Sequence, residues 1–266
     1  MTDRAGRLEP GEAGSGDVTE DRFMGGRLCL TQPRRGYRAG VDAVLLGAAV
    51  PAVPGDRVLE LGCGVGAASL CLGLRVPDLA LTGIEVQPAY AALARWNAER
   101  AGVAFRVVEA DLCDLPAGIR GETFDHVLMN PPYFRRADGT AAQDAGRETA
   151  MGEATALETW IDVALRRLRT GGRLTLVHRI ERLPAVLAAL EGRAGATEVL
   201  PLVSRAGRPP GLFLLRSAKA RRTPFRLAPG LVMHAAAEHL GDRADYVPGV
   251  AAVLRDGAAM PGFTQP

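Results

Sequence analysis

Asn130-Pro131-Pro132-Tyr133 stands where an apolar run, DHVLM from 125 to 129, comes to an end. A buried strand that meets two prolines loses its ladder donors and leaves the sheet with backbone carbonyls free. If that strand carries Asn130 to the carboxyl edge of a parallel sheet, its side-chain oxygen and the Pro131 carbonyl can both accept from one planar NH₂ group. Holding both hydrogens draws the nitrogen toward tetrahedral geometry and localises its lone pair for attack on an electrophilic methyl carbon. Tyr133 offers a ring face on which the ring bearing the amine can stack. Asn130, Pro131, Pro132 and Tyr133 are therefore the candidate catalytic residues, and the chemistry is amine alkylation.

A second cluster lies upstream in VLELGCGVGAASL, residues 58 to 70. Glycines at 62, 64 and 66 allow a tight turn and a close approach of backbone to a ligand, and the helix that follows presents its N-terminal N–H groups. Glu85 closes the next strand about twenty residues on, where a carboxylate can accept both hydroxyls of a ribose. Together these imply an adenosine-containing cofactor. The spacing Gly62-x-Gly64-x-x-Ala67 also satisfies the dinucleotide fingerprint, so a dehydrogenase stays open on this motif alone. It has no use for an Asn-Pro-Pro-Tyr that grips an amine. Asp125 could serve as a base, but at the start of an apolar strand it reads as a structural carboxylate facing a neighbouring loop.

Positioning these residues requires strands that alternate with helices. Short β-branched runs at 57–61, 79–85, 105–110, 125–129, 173–178, 197–203 and 211–217 read as seven strands, separated by helical patterns at 41–52, 67–76, 88–102 and 155–169. This is the signature of an α/β fold with a doubly wound parallel sheet. Pro88 and Gly102 mark one helix start and stop. Thr155 with Glu158 suggests a capping box, and Gly171-Gly172 suggests the end of that helix. Only residues 205–210 separate the last two strands, too few for a crossover helix, so they form an antiparallel hairpin at the sheet edge.

Composition narrows the class. A 47% hydrophobic share with 23% charged residues reads as soluble and globular, and neither a membrane span nor a signal peptide is legible, which places the protein in the cytoplasm. Cys29, Cys63, Cys71 and Cys113 form no CxxC pair, and His126, His178, His234 and His239 have no ligand spacing, so neither a disulfide framework nor a metal site is expected. Residues 1–21 hold six acids in a Gly-rich setting and read as a disordered acidic tail. Residues 22–256 read as a single domain and 257–266 as a flexible end. Residues 166–226 carry fourteen Arg or Lys against three glutamates, with further clusters at Arg34, Arg35 and Arg38 and at Arg135 and Arg136. Such an excess is the footprint of a nucleic-acid binder if the arginines share a face, and an ordinary solvated surface if they do not.

Taken in order, ELGCGVG, Glu85 and NPPY resemble the class I S-adenosylmethionine-dependent methyltransferases that act on amines. The resemblance implies a seven-stranded Rossmann-like sheet of order 3-2-1-4-5-7-6 with strand 7 antiparallel, and S-adenosyl-L-methionine as cofactor. By similarity Glu60, Gly62, Gly64 and Gly66 surround its methionine part, Glu85 meets the ribose, Asp111 and Leu112 meet the adenine, and Asn130 borders the methyl group. NPPY enzymes methylate adenine N6, guanine N2, cytosine N4 or a protein glutamine amide, so rRNA and protein glutamine stand as alternatives to tRNA. The segment RLCLTQPRRGYRAGVDAVLLGAAV resembles the entry to the tRNA(Val) adenine-N6 methyltransferase family, which modifies the adenine 3′ of the anticodon. That similarity runs over roughly 22–255 and implies tRNA as partner, with Arg38 and Asp42 near the cofactor and Asp42 placed to meet its amino group. The polar loop after NPPY is expected to be mobile, and oligomeric state is not legible.

Overall fold

The computed structural model describes residues 18–133, 155–236 and 245–263. The sheet is built from β3 (Arg57–Leu61), β4 (Ala80–Glu85), β5 (Phe105–Glu109), β6 (Phe124–Met129), β7 (Leu168–Arg179), β8 (Ala194–Val203) and β9 (Leu212–Lys219), the seven strands expected from the periodicity. Two short strands, β10 (Arg226–Leu227) and β11 (Leu231–Val232), pair in parallel with the outer edge of β8. The order across the sheet is β10-β8-β9-β7-β6-β3-β4-β5. Numbered from β3, that is the expected 3-2-1-4-5-7-6, and β9 is antiparallel to both neighbours.

Helices α1 (Val41–Ala49), α2 (Ala67–Arg75), α3 (Pro88–Ala101) and α7 (Pro248–Asp256) cover one face, and α4 (Ala117–Gly121), α5 (Leu157–Arg167) and α6 (Leu183–Leu190) the other. A sheet covered on both sides needs apolar residues on both faces of each strand. β6 shows this: Leu128 joins the core under α1 and α2, while Val127 and Met129 join the core under α5. α3 starts at Pro88 and ends at Gly102, which takes the left-handed conformation with φ 64°.

Four expectations fail, each for a physical reason. Residues 18–21 are not tail: Val18–Phe23 forms β1, which pairs antiparallel with β2 (Leu28–Pro33). Its acids are spent on partners, Glu20 on Arg100 at 2.5 Å and Asp21 on Arg38 at 2.5 Å, so a charge count suggesting disorder concealed a paired edge. Residues 257–263 are packed, not loose. Met260 and Phe263 are buried, the Met260 N–H donates to the Ala48 carbonyl at 2.9 Å, and the Arg216 guanidinium lies 4.0 Å over the Phe263 ring. The Thr155–Glu158 capping box does not form, because Ala156 occupies the N-cap with no side-chain hydrogen bond. Gly171-Gly172 sits inside β7, not at a helix stop. A Cβ on Gly172 would lie 3.0 Å from the Asp125 carbonyl oxygen, so glycine admits the close approach of β6 beside an irregularity in the β6–β7 register. Residues 1–17, the loop after Tyr133 with Arg135 and Arg136, His239 and residues 264–266 lie outside the described residues. Among the described residues, no helix is long and apolar enough to cross a membrane.

Candidate active site

Parallel strands deliver their last residues to one edge, and the registers Leu61↔Ile84, Glu85↔Glu109 and Leu61↔Met129 put the ends of β3, β4, β5 and β6 side by side. The chain winds away from β3 in both directions, toward β4 and toward β6, which makes the crevice above β3 the natural ligand site. A cavity of about 490 Å³ opens there. Arg38, Glu60, Gly62, Gly64, Glu85, Asp111, Leu112, Asn130, Pro131, Pro132 and Tyr133 all line it, so eleven residues singled out from sequence converge. Gly66 and Asp42 do not line it.

The glycine loop divides its labour. Gly62 (φ 64°) and Gly64 (φ 54°) both need the left-handed conformation. A Cβ on Gly62 would sit 2.5 Å from the Trp160 indole, whereas one on Gly64 would find nothing nearer than Tyr37 Cε1 at 3.8 Å. Gly62 thus accommodates a protein ring, and Gly64 faces open cavity. Gly66, the N-cap of α2, carries φ 86° and would press a Cβ against the Phe105 ring at 3.1 Å, which makes it a packing residue.

The carboxylates are fixed by backbone. Glu85, which lines the cavity, accepts from the Gly64 N–H at 2.8 Å on one oxygen and from the Gln87 N–H at 2.8 Å on the other. Burial raises its pKa above the usual carboxylate range, against the pull of those N–H donors. Glu60 accepts from the Ser69 N–H at 3.1 Å and hydroxyl at 2.5 Å, and burial pushes it up to about 8. Asp111 accepts from the Cys113 N–H at 2.8 Å, which sets the turn that presents Leu112.

On the far wall, the Asn130 amide has a defined orientation. Its Nδ2 donates to Asp42 Oδ2 at 3.0 Å and to the Tyr37 hydroxyl at 3.3 Å, and the Tyr133 hydroxyl donates to the same Asp42 oxygen at 3.0 Å. Asn130 Oδ1 is buried and has no hydrogen-bond partner among the described residues. A buried amide oxygen without a donor is costly unless a ligand supplies one. Asp42, expected near the cofactor amino group, accepts from both Asn130 and Tyr133 and so underpins the NPPY. Arg38 also turns away from the cavity at its charged end: its guanidinium bonds Asp21, the Thr19 hydroxyl at 2.6 Å and the Pro33 carbonyl at 2.8 Å. It ties the β1–β2 hairpin to the loop that forms the cavity rim.

Two residues of this wall, Tyr37 and Trp160, and one packed behind it, His178, carried no signal in sequence as site residues. Tyr37 sits in a basic loop. Trp160 reads only as the apolar face of α5, yet its ring lines the cavity with Nε1 buried and without a partner among the described residues. His178 packs its ring 5.3 Å from that of Tyr133. Its Nδ1 accepts from the Arg179 N–H at 2.8 Å, and burial together with Arg182 and Arg179 lowers it to about 4, so the proton of the neutral ring sits on Nε2. Asp125, at the opposite end of β6, accepts from the Arg57 N–H at 2.8 Å and from Arg169 at 2.5 Å, the structural part expected of it.

The arginines of 166–226 do not share a face. Arg179, Arg182 and Arg208 lie at the carboxyl edge with the cavity, while Arg193, Lys219, Arg221 and Arg222 lie at the opposite edge, as the pairings Arg179↔Leu212 and Ala194↔Lys219 require. Others are consumed internally: Arg216 donates to the Ala49 carbonyl at 2.6 Å, Arg205 pairs with Asp245 at 2.8 Å, and Arg226 pairs with Glu198. Exposed Arg34 and Arg35 precede the cavity rim.

A cavity with an open glycine wall and a backbone-fixed carboxylate at the ends of parallel strands suits S-adenosylmethionine. Residues 40–200 match the methyltransferase small domain family. A tRNA1(Val) (adenine(37)-N6)-methyltransferase of Porphyromonas gingivalis is 35% identical over 172 residues, 61% of this chain and 67% of that protein. One of the same name from Yersinia pestis is 37% identical over 124 residues, 46% of this chain and 49% of that protein, so the match spans about half of the latter's length. Among solved structures, a predicted O-methyltransferase of Agrobacterium tumefaciens superposes with a TM-score of 0.67 at 27% identity, covering 82% of this chain and 97% of that one. An S-adenosylmethionine-dependent O-methyltransferase of Thermotoga maritima gives 0.52 at 17% identity, covering 71% and 68%. The chain belongs to the methyltransferase small domain family and is a class I S-adenosylmethionine-dependent methyltransferase.

Proposed function

We propose that the enzyme methylates an exocyclic amine, namely N6 of an adenine in tRNA, at the anticodon-loop position 37 of tRNA(Val). The observation that carries the amine is the Asn130 amide, whose NH₂ is committed to Asp42 and Tyr37 and whose oxygen is left bare. An acceptor presented in this way suits a substrate that arrives as a donor. The names of the relatives at 35% and 37% identity support adenine and tRNA, and the arginines at the cavity edge, Arg34, Arg35, Arg179, Arg182 and Arg208, are consistent with a phosphate backbone crossing that edge.

Bound S-adenosylmethionine supplies an electrophilic methyl group on a sulfonium. The chain supplies position. Asn130 Oδ1 and the Pro131 carbonyl accept the two amine hydrogens, which orients the nitrogen lone pair. Tyr133, held by Asp42, gives the base a ring to stack on. Because the amine becomes cationic before it loses a proton, the two acceptors favour the transition state over the ground state and no strong base is needed.

The test is incubation with methyl-labelled S-adenosylmethionine and unmodified bulk tRNA, followed by nucleoside analysis, with Asn130→Ala alongside. Label in N6-methyladenosine that disappears in the variant, with cofactor affinity within about 3-fold of wild type, is expected. Undiminished label in Asn130→Ala would refute the role given to the amide. Unlabelled tRNA with intact cofactor binding would move the substrate to ribosomal RNA or a protein glutamine amide.

A further inference from the structure

An asparagine amide is nearly symmetric in shape, so a site that uses Asn130 as an acceptor must prevent it from turning over. In the reversed orientation the NH₂ would face the substrate amine, donor against donor, and the oxygen would face Asp42. We infer that Asp42 is the positioning residue that fixes the amide, an inference that rests on the amine reading above. Its carboxylate only accepts. Oδ2 takes the Asn130 Nδ2 at 3.0 Å and the Tyr133 hydroxyl at 3.0 Å, so one oxygen aligns both the hydrogen-bond acceptor and the stacking ring of the NPPY.

The fold makes Asp42 suited to this. It stands in the first turn of α1, where the helix N-terminus favours a negative charge, and its other oxygen accepts from the Ala43 N–H at 3.0 Å. The carboxylate is thereby held from below by the backbone and offers its remaining oxygen upward. Tyr37 completes the seat. Burial, with Asp42 beside it, raises the Tyr37 hydroxyl well above its ordinary pKa, so it remains a neutral phenol that can accept the second Nδ2 hydrogen. With both amide hydrogens claimed, the only way for Asn130 to turn over is to set Oδ1 against Asp42. Asp42 does not line the cavity, which places its effect through Asn130 and Tyr133.

The experiment compares Asp42→Ala, Asp42→Asn, Asn130→Ala and the double variant Asp42→Ala/Asn130→Ala, each shown folded by thermal unfolding. Equilibrium binding of S-adenosylmethionine is measured beside the single-turnover rate on the labelled RNA at saturating cofactor. Asp42→Ala is expected to slow turnover by roughly 10-fold to 100-fold, the size of one charge-assisted hydrogen bond, with cofactor affinity within about 3-fold. Asp42→Asn, which keeps an oxygen for the two donors, is expected to recover part of the rate. The double variant should be slower than Asn130→Ala by less than Asp42→Ala is slower than wild type, since only the part of the effect that runs through Tyr133 is left to lose. Cofactor affinity weakened by more than about 10-fold with the saturated rate intact would overturn the inference and make Asp42 a cofactor ligand. An additive double variant would overturn it too, in favour of a structural role. Full turnover in Asn130→Ala would instead remove the amine reading on which both stand, which separates the two failures. Should Asp42→Ala not fold, Asp42→Asn and Tyr37→Phe carry the comparison: unchanged single-turnover rates in both would overturn the inference.

Discussion

Gly64→Ala should separate cofactor contact from packing within a single loop. The residue has φ 54°, so an alanine there pays the left-handed cost of about 1–2 kcal/mol. Its Cβ meets nothing closer than 3.8 Å, so no clash is added, and the protein should stay folded. Gly66→Ala carries the same backbone cost at φ 86° and a contact of 3.1 Å with the Phe105 ring, for a total of roughly 2–4 kcal/mol. The order reverses for the cofactor, because Gly64 lines the cavity and Gly66 does not. S-adenosylmethionine at 100 times its Kd should stabilise the wild type by about 2.7 kcal/mol, a rise of roughly 5–10 °C in Tm at this chain length. In Gly64→Ala that rise should nearly vanish, and in Gly66→Ala it should persist from a lower starting Tm. Differential scanning fluorimetry with and without cofactor reads both numbers. A full ligand-induced rise in Gly64→Ala, or its loss in a folded Gly66→Ala, would refute the division.

His178 gives a pH signature. Its folded-state pKa of about 4 lies below the ordinary histidine value, so as pH falls the unfolded chain takes up the proton first, and stability is lost between about 6.5 and 4. The loss amounts to about 3 kcal/mol, and the stability difference between wild type and His178→Phe, followed by urea unfolding from pH 7 to 4, should change by that amount; parallel curves would remove the argument. Truncation after residue 259 takes away two buried side chains, Met260 and Phe263, and should cost roughly 3–6 kcal/mol in chemical denaturation, whereas a flexible end would cost nothing measurable.

What was legible in the sequence was what repeats or what punctuates. Apolar runs bounded by Gly and Pro gave all seven core strands, and a connection too short to hold a helix forced the antiparallel hairpin. The glycines, Glu85, Asp111 and NPPY converged because each closes a strand, and a parallel sheet gathers strand ends. What stayed hidden depends on pairing between distant residues. Glu20 and Asp21 look like tail until Arg100 and Arg38 stand opposite them, and Gly171-Gly172 looks like a stop until β6 lies against it. The arginine count misled in the same way: fourteen charges in sequence are spread over two edges of the sheet, and several are spent on internal partners.

Asp42 shows the difference between being near a site and acting in it. A resemblance placed it close to the cofactor, and its hydrogen bonds run to the NPPY. The consequence is architectural. Glu60, Glu85 and Asp111, at or just beyond the ends of β3, β4 and β5, each accept from backbone N–H groups, whereas Asn130 and Tyr133 are set by side chains that reach across from the loop and helix ahead of β3. Tyr37, Arg38 and Ala39 line the cavity beside the glycine loop, while Asp42 bears on it through Asn130 and Tyr133. Substitution of Asp42 should therefore slow methyl transfer while leaving the methyl donor bound, because the group that holds the NPPY is separate from the backbone that holds Glu60 and Glu85.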